Sequence, residues 1–539
     1  MVKRLCCLLL CLCFIGALAS CQNSDTPQNA DATFRYHLDQ EPTSLDPQIS
    51  SNVSTDIAIE ALFEGLCRLD SNNDPYPGVA LSWEHNEDYT QYTFTLREDA
   101  VWSNGDPVTA QDFVFAWQRA IDPSTGSPSA TSLYSLKNAQ KIAAGELPAS
   151  ELGVTAKSDT CLVVEMDEPD EDFVRKTAQA VFMPCHESFF EETNGRYGLS
   201  AEYTLGNGPF AFSNRYAWEQ GTYLKLSRSS TYVGENTPLP SLLYLLVGDE
   251  EVDVSDPVAA IENGDVDVIE IPGNQIDKAE DSSGQLITFS DDSTWGLCLN
   301  LQDDVLKHKD ARALFIKTLN RENLLQYLPA HSRQADDILS PAATWNGESY
   351  RELAGDGFYV QQDDAILATL SSVLEELDLT SMPSLTVLGP DTDNMKLLLN
   401  EMLVVWNGRL GNYFNMKVLP EEELSQKISN LDYQAAVCSL TPDDQDPLSL
   451  LYLFASDSDE NPAGLQSKEY DALLQQASAT MGDESLQAMK NAEQYLNDSY
   501  IFYPLYYTDR YYLTGETVTG LVIHPCGAGI DFIGAGKES

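Results

Sequence analysis

The chain has 539 residues, 84 Asp and Glu against 31 Lys and Arg, and a formal charge of −53. At about 150 residues per domain this is roughly three to four domains, and 43% hydrophobic residues with 25 Tyr, 19 Phe and 7 Trp separate it from disordered chains. So acidic a chain excludes a nucleic-acid binder, which needs a basic face to neutralise phosphates, and electrostatic adsorption to anionic lipid.

In chain order, Lys3 and Arg4 precede an apolar run, Leu5 to Leu18. This layout predicts a secretory signal, and the run is too short for a confident membrane span. Leu18-Ala19-Ser20-Cys21 resembles the lipobox of bacterial lipoproteins, which implies cleavage before Cys21 and its acylation into a lasting anchor. Loss of residues 1–20 would remove two positive charges and leave −55. Residues 22–31 are polar and aperiodic and read as a tether (21–31 with the lipidated Cys21). No later stretch reaches about 18 consecutive apolar residues. Cys6, Cys7, Cys11 and Cys13 would leave with the signal, and Cys67, Cys161, Cys185, Cys298, Cys438 and Cys526 remain. None forms a CxxC motif, and their pairing is not readable from spacing.

Residues 90–97 alternate apolar and polar, which predicts a strand with one buried face. Trp102-Ser103-Asn104-Gly105-Asp106 reads as a turn. Thr109 and Asp112 form a capping box, followed by Phe113, Ala116, Trp117 and Ala120 on one helix face and a stop at Asp122-Pro123. Further helices are expected over 56–66, 310–327, 363–377 and 484–497. The stretch 385–440 predicts β-α-β-α-β: strands at 385–388, 415–419 and 434–439, with helices at 394–405 and 421–428. Such a pattern implies a parallel sheet with right-handed crossovers. Thr441-Pro442-Asp443-Asp444-Gln445-Asp446-Pro447 follows the third strand, and ligands of open α/β sheets sit beyond the carboxyl ends of strands. Three carboxylates there are a candidate site for a cation or amine; the plainer reading is an acidic surface loop.

Motifs of metalloproteases, serine hydrolases, P-loop proteins and dinucleotide binders are absent. The six histidines, His37, His85, His186, His308, His331 and His524, show no metal-ligand spacing. The expectation is a protein without catalytic residues, cofactor or metal. A glycosidase carboxylate pair is the enzymatic alternative, though no pair is singled out.

The blocks EPTSLDP (41–47), LFEGLCRLD (62–70), PGVALSWE (77–84), YTFTLREDAVWSNGDPVTAQDFVFAWQRAIDP (92–123), NAQKIAAGE (138–146), LGV (152–154), NGPF (207–210), DARALFIKTLNRENLL (310–325) and PLYY (504–507) occur in order. Together they resemble the substrate-binding lipoproteins of oligopeptide ABC transporters, extracellular solute-binding protein family 5, over about 33–514. The resemblance implies an α/β, type II periplasmic-binding-protein-like fold with two lobes around a ligand cleft and an inserted third domain. The implied layout is a discontinuous first lobe (32–63, 188–288 and 490–539), an inserted domain (64–187) and a second lobe (289–489). It further implies a monomer that captures oligopeptides and delivers them to ABC permease subunits, anchored by lipid outside the cytoplasmic membrane, on a Gram-positive outer face or in a periplasm.

In relatives a ligand peptide adds to strand edges, and an aspartate of the pattern Asp-x-x-[Asp/Glu]-Pro holds its α-amine. That pattern falls on Asp443, with Asp444 as competitor, and Tyr506 and Tyr507 are candidate cleft aromatics. The chain departs from the family where aromatics are usual: Leu440 precedes the acidic loop, Asp444 follows Asp443, and Thr508 follows PLYY. Pro442 removes a backbone donor. The same fold binding a dipeptide, metal chelate, haem or oligosaccharide, or acting as a peptide-signal receptor, is therefore the alternative.

Overall fold

The computed structural model describes residues 33–538 except 51, 249–251, 412–413, 443–444, 459 and 525–528. The expected leader, Cys21, Cys526, Asp443 and Asp444 lie outside the described residues.

The strands that organise the molecule are, in chain order, β1 (Thr33–His37), β2 (Ala80–His85), β3 (Gln91–Leu96), β4 (Val154–Ser158), β5 (Cys161–Glu165), β6 (Phe210–Phe212), β7 (Tyr223–Arg228), β8 (Leu242–Leu246), β9 (Val268–Ile271), β10 (Gln285–Leu299), β11 (Thr386–Pro390), β12 (Asn415–Leu419), β13 (Ala435–Leu440) and β14 (Phe502–Thr514). Ten of them form one sheet in the order β12-β11-β13-β10-β14-β9-β1-β8-β7-β6, with Trp218–Glu219 and Arg333–Gln334 pairing beside this path. The order β2-β3-β5-β4 makes a separate antiparallel sheet.

The predicted β-α-β-α-β unit is present. Helices Asp393–Arg409 and Glu421–Ser429 connect β11, β12 and β13, and β11 pairs in parallel with both other strands. Alternate residues of β10 and β13 enter different cores. Cys298, Ala436, Cys438 and Leu440 join one; Leu297, Leu299, Ala435 and Val437 join the other. Both faces of this half of the sheet are thus covered, as the two-residue period of a strand requires.

The helix after the capping box runs Ala110–Ile121, with the reciprocal Thr109 and Asp112 bonds in place. Its Trp117 is fully buried, donates through Nε1 to the Phe182 carbonyl at 2.9 Å, and meets Phe182 edge-on. Two expected helices are interrupted. The 310–327 stretch divides into Lys309–Lys317 and Arg321–Leu325, because the Asn320 side chain caps the second piece. The 363–377 stretch begins as a 3-10 turn over Asp364–Thr369. The other two run Val53–Leu62 and Gly482–Asp498.

Strands β10 and β14 join the two halves of the large sheet. Their antiparallel register runs from Gln285 opposite Thr514 to Ser290 opposite Asp509, then jumps to Thr294 opposite Tyr507. Asp291, Asp292 and Ser293 are accommodated in that irregularity, a position where a bulge re-aims side chains. The expected lobe boundaries fall inside β10 and inside helix Gly482–Asp498, whose Ala488, Met489, Ala492 and Leu496 pack in the same core as β13.

Candidate functional site

Four segments converge at the carboxyl end of β13. The first is the acidic loop, which leaves the strand at Thr441 and enters helix Pro447–Tyr452. Asp446 caps that helix by accepting from the Leu448 N–H at 2.9 Å, with Pro447 at its first position. The second is the β10 irregularity. The Ser293 and Thr441 hydroxyls lie 3.0 Å apart, and the Thr508 hydroxyl donates to an Asp291 carboxylate oxygen at 3.1 Å. The third is 337–345, where the Ser340 hydroxyl donates to the Asp291 carbonyl and the Thr344 N–H to the Gln445 carbonyl. The fourth comes from beside the smaller sheet. Lys176 Nζ sits 3.1 Å from Asp170 and 3.7 Å from Asp446, and Asn346 donates to Glu171 at 2.6 Å.

Between the first three of these segments is a small recess, lined among others by Asp292, Leu339, Ser340, Pro442, Gln445 and Asp446. Pro442 and Gln445 flank the predicted Asp443 and Asp444 in sequence. Asp292 is 9% exposed. Burial, then its contact with the Asp291 carboxylate, pushes its carboxyl well above the usual range. Neither Asp291 nor Asp292 has a basic partner within salt-bridge distance among the described residues. A second small recess is lined by Glu64, Arg97, Asn207 and Tyr232 among others. Its Glu64 is already held by Arg68 at 2.6 Å and by the Tyr232 hydroxyl.

The structure places both predicted tyrosines in packed surroundings. Tyr506 stacks on Trp295 with centroids 5.7 Å apart and belongs to a core cluster. The buried Tyr507 hydroxyl accepts from the Asp337 N–H at 3.1 Å and lies 3.0 and 3.2 Å from the Asp337 and Leu339 carbonyls. It thereby fixes the 337–339 segment that lines the recess. Sequence reasoning missed Asp291 and Asp292. Their only signal was two adjacent acids inside an otherwise strand-like run, since Asp is depleted in strands. Thr508, read as a lost aromatic, holds Asp291.

Among the described residues no group of three or more His, Cys, Asp or Glu could hold a metal, and no helix is long and apolar enough to cross a membrane. The geometry is that of a small recess at the carboxyl end of β13, beside the strand that joins the two halves of the sheet.

Comparisons with known proteins agree. The profile of the bacterial extracellular solute-binding proteins, family 5 Middle, matches residues 74–462. The chain is 27% identical over 493 residues to the dipeptide-binding protein DppE of Bacillus subtilis, covering 91% of this chain and 89% of that one. It is also 27% identical over 483 residues to the periplasmic murein peptide-binding protein MppA of Escherichia coli, covering 87% and 86%. The crystal structure of the substrate-binding domain of an oligopeptide ABC transporter from Bacillus anthracis superposes with a TM-score of 0.75, at 28% identity, over 95% of this chain and 99% of that chain. The molecule is a solute-binding protein with the type II periplasmic-binding fold, and it is not an enzyme. The chain belongs to the bacterial extracellular solute-binding proteins of family 5.

Proposed function

We propose that this protein captures short peptides outside the cytoplasmic membrane, tethered by a lipidated Cys21, and delivers them to the permease of an ABC importer. The observation that carries this reading is the acidic sequence 441–447, which follows the carboxyl end of β13 and whose Pro442, Gln445 and Asp446 line a recess beside Asp292 of β10. The similar proteins named above, a dipeptide-binding and a murein peptide-binding protein, support it. In this reading the halves joined by β10 and β14 are the two lobes. They hinge on those strands, and ligand shifts the population toward the closed form that the permease recognises.

Asp443 holds the peptide α-amine, with Asp444 as its competitor. A charge-assisted bond of this kind contributes about 1.5–3 kcal/mol. Asp443→Ala is therefore expected to weaken binding of free-amine di- to pentapeptides about ten- to hundredfold, with the Tm of the unliganded protein unchanged. Calorimetric titration measures this. Equal affinities for wild type and Asp443→Ala would remove the amine assignment. Stabilisation by haem, a metal chelate or an oligosaccharide panel in place of peptides would replace the ligand class.

A further inference from the structure

Among the described residues, none from the body around the smaller sheet lines the recess, yet one turn of that body reaches the segments that do. Phe173 and Val174, in the short helix Phe173–Lys176, are buried in the core that holds Tyr92, Phe94, Leu162 and Val164 of the smaller sheet. Ala343, Leu450 and Leu451 are buried in a different core, the one that holds Ala436 and Cys438 of β13. Polar groups bridge the two. Asn346 sits at the tip of the hairpin made by Thr344–Trp345 and Glu348–Ser349, and its side chain donates to Glu171 at 2.6 Å. Arg175 lies over Gly347, where a Cβ would come within 2.7 Å of a guanidinium nitrogen. The Thr344 N–H donates to the Gln445 carbonyl at 2.9 Å, which ties the hairpin to the acidic loop. Lys176 reaches Asp446, the cap at the end of that loop, at 3.7 Å while it holds Asp170 at 3.1 Å.

One turn thus grips both the hairpin tip and the loop. Its contacts are polar, and Asn346 is exposed. An exposed polar or ionic pair contributes only about 0–1 kcal/mol, so these contacts can open and re-form without uncovering an apolar interface.

We propose that the turn 170–176 is a clasp for the ligand site: it grips the 344–349 hairpin and the acidic loop when the two cores close on each other, and it sets how long a bound peptide stays. This rests on the peptide reading above and deepens it, because it gives the body around the smaller sheet a part in retention. The clasp lies outside the recess, so its loss acts on dissociation more than on association.

The test replaces Asn346 by Asp. Asn346 has φ of +52°, a conformation that both asparagine and aspartate tolerate. The turn therefore keeps its shape while the donor to Glu171 becomes a second carboxylate. Stopped-flow fluorescence follows association and dissociation of Ala-Ala, Ala-Ala-Ala and Ala-Ala-Ala-Ala. The proteins are wild type, Asn346→Asp and the double variant Asn346→Asp with Glu171→Lys. The clasp predicts dissociation about tenfold faster in Asn346→Asp, with association within about twofold of wild type. It also predicts recovery in the double variant, where an opposite-charge pair is restored. Equal dissociation rates in all three proteins overturn the proposal and leave the peptide reading standing. Faster dissociation that the double variant does not restore overturns it as well, since the effect then does not pass through Glu171. If wild type binds neither these peptides nor a tryptic digest, the peptide reading falls, and X-ray scattering of the unliganded proteins judges the clasp alone. A larger radius of gyration in Asn346→Asp, reversed in the double variant, supports it, and equal radii overturn it.

Discussion

Tm is expected to be higher at pH 5 than at pH 8, by about 5 °C or more, because buried carboxylates outnumber the cations that face them. Arg351 lies 3.0 Å from Asp337 and 2.7 Å from Glu493, with 4% and 0% of those acid side chains exposed. One guanidinium serves two acids. Burial, then the neighbouring Glu493, pushes Asp337 up to about 8, and burial pushes Glu493 up as well. Burial likewise raises Glu60 and Glu64 around Arg68. Each such group keeps its proton in the folded chain at a pH where the unfolded chain has lost it, near 4. The folded state then binds more protons. The stabilisation is complete below the unfolded value and is lost as pH rises through the folded one, at up to about 1.4 kcal/mol per unit per group.

The exposed carboxylates of Asp253, Asp256, Asp304, Asp364 and Asp432 move the other way, pulled down by hydrogen bonds. They respond only to pH below about 4. The net charge of −53 adds repulsion in the same direction as the buried acids. Thermal unfolding at pH 5 and 8 checks the sign; an equal or higher Tm at pH 8 would contradict it.

Replacement of Arg68 is the second large effect. Its side chain is 3% exposed and reaches Glu64 at 2.6 Å, Asp531 at 3.1 Å and Glu60 at 3.2 Å. It also donates to the Glu60 carbonyl at 3.1 Å. The Tyr76 and Tyr232 hydroxyls complete the cluster by donating to Asp531 and Glu64. Chain regions far apart in sequence are joined there: helix Val53–Leu62 with the segment directly after it, and the carboxyl-terminal stretch. Removing one partner of a buried ion network costs about 3–5 kcal/mol, because the remaining charges lose compensation while staying desolvated. Arg68→Met should lose that much in urea unfolding at pH 8 and less at pH 5, where the three acids can take up protons instead. Arg68→Lys keeps the charge but not the planar fork, and should fall between. A penalty independent of pH would show that lost packing, not charge, dominates.

Local periodicity made part of this structure legible. The β11-β13 unit follows from strand-length apolar runs separated by helix-length amphipathic ones, and its parallel pairing follows from the crossovers. The capping box at Thr109 and Asp112 marked its helix to the residue. The break at Asn320 was also signalled, by a capping residue inside an otherwise continuous apolar stripe, but the stripe dominated the reading. The pairing of β10 with β14 was not legible. It joins residues more than two hundred positions apart, and a strand pattern does not name its partner. The same holds for the site. The acidic loop was visible because it follows a strand directly. The place of Asp292 at the recess, and the hold of Thr508 on Asp291, appear only when the β10 irregularity is set against β14 and the 337–345 segment. Tyr506 and Tyr507 illustrate the converse, since an aromatic pair reads alike from sequence whether it faces a cleft or packs beneath one.

Peptide capture is tested most directly by native mass spectrometry of residues 22–539 purified gently from cells without added ligand. The account predicts a ladder of bound masses that sequence as short peptides with free amino termini. A single discrete non-peptide mass, or no bound mass even after soaking with a peptide digest, would contradict it.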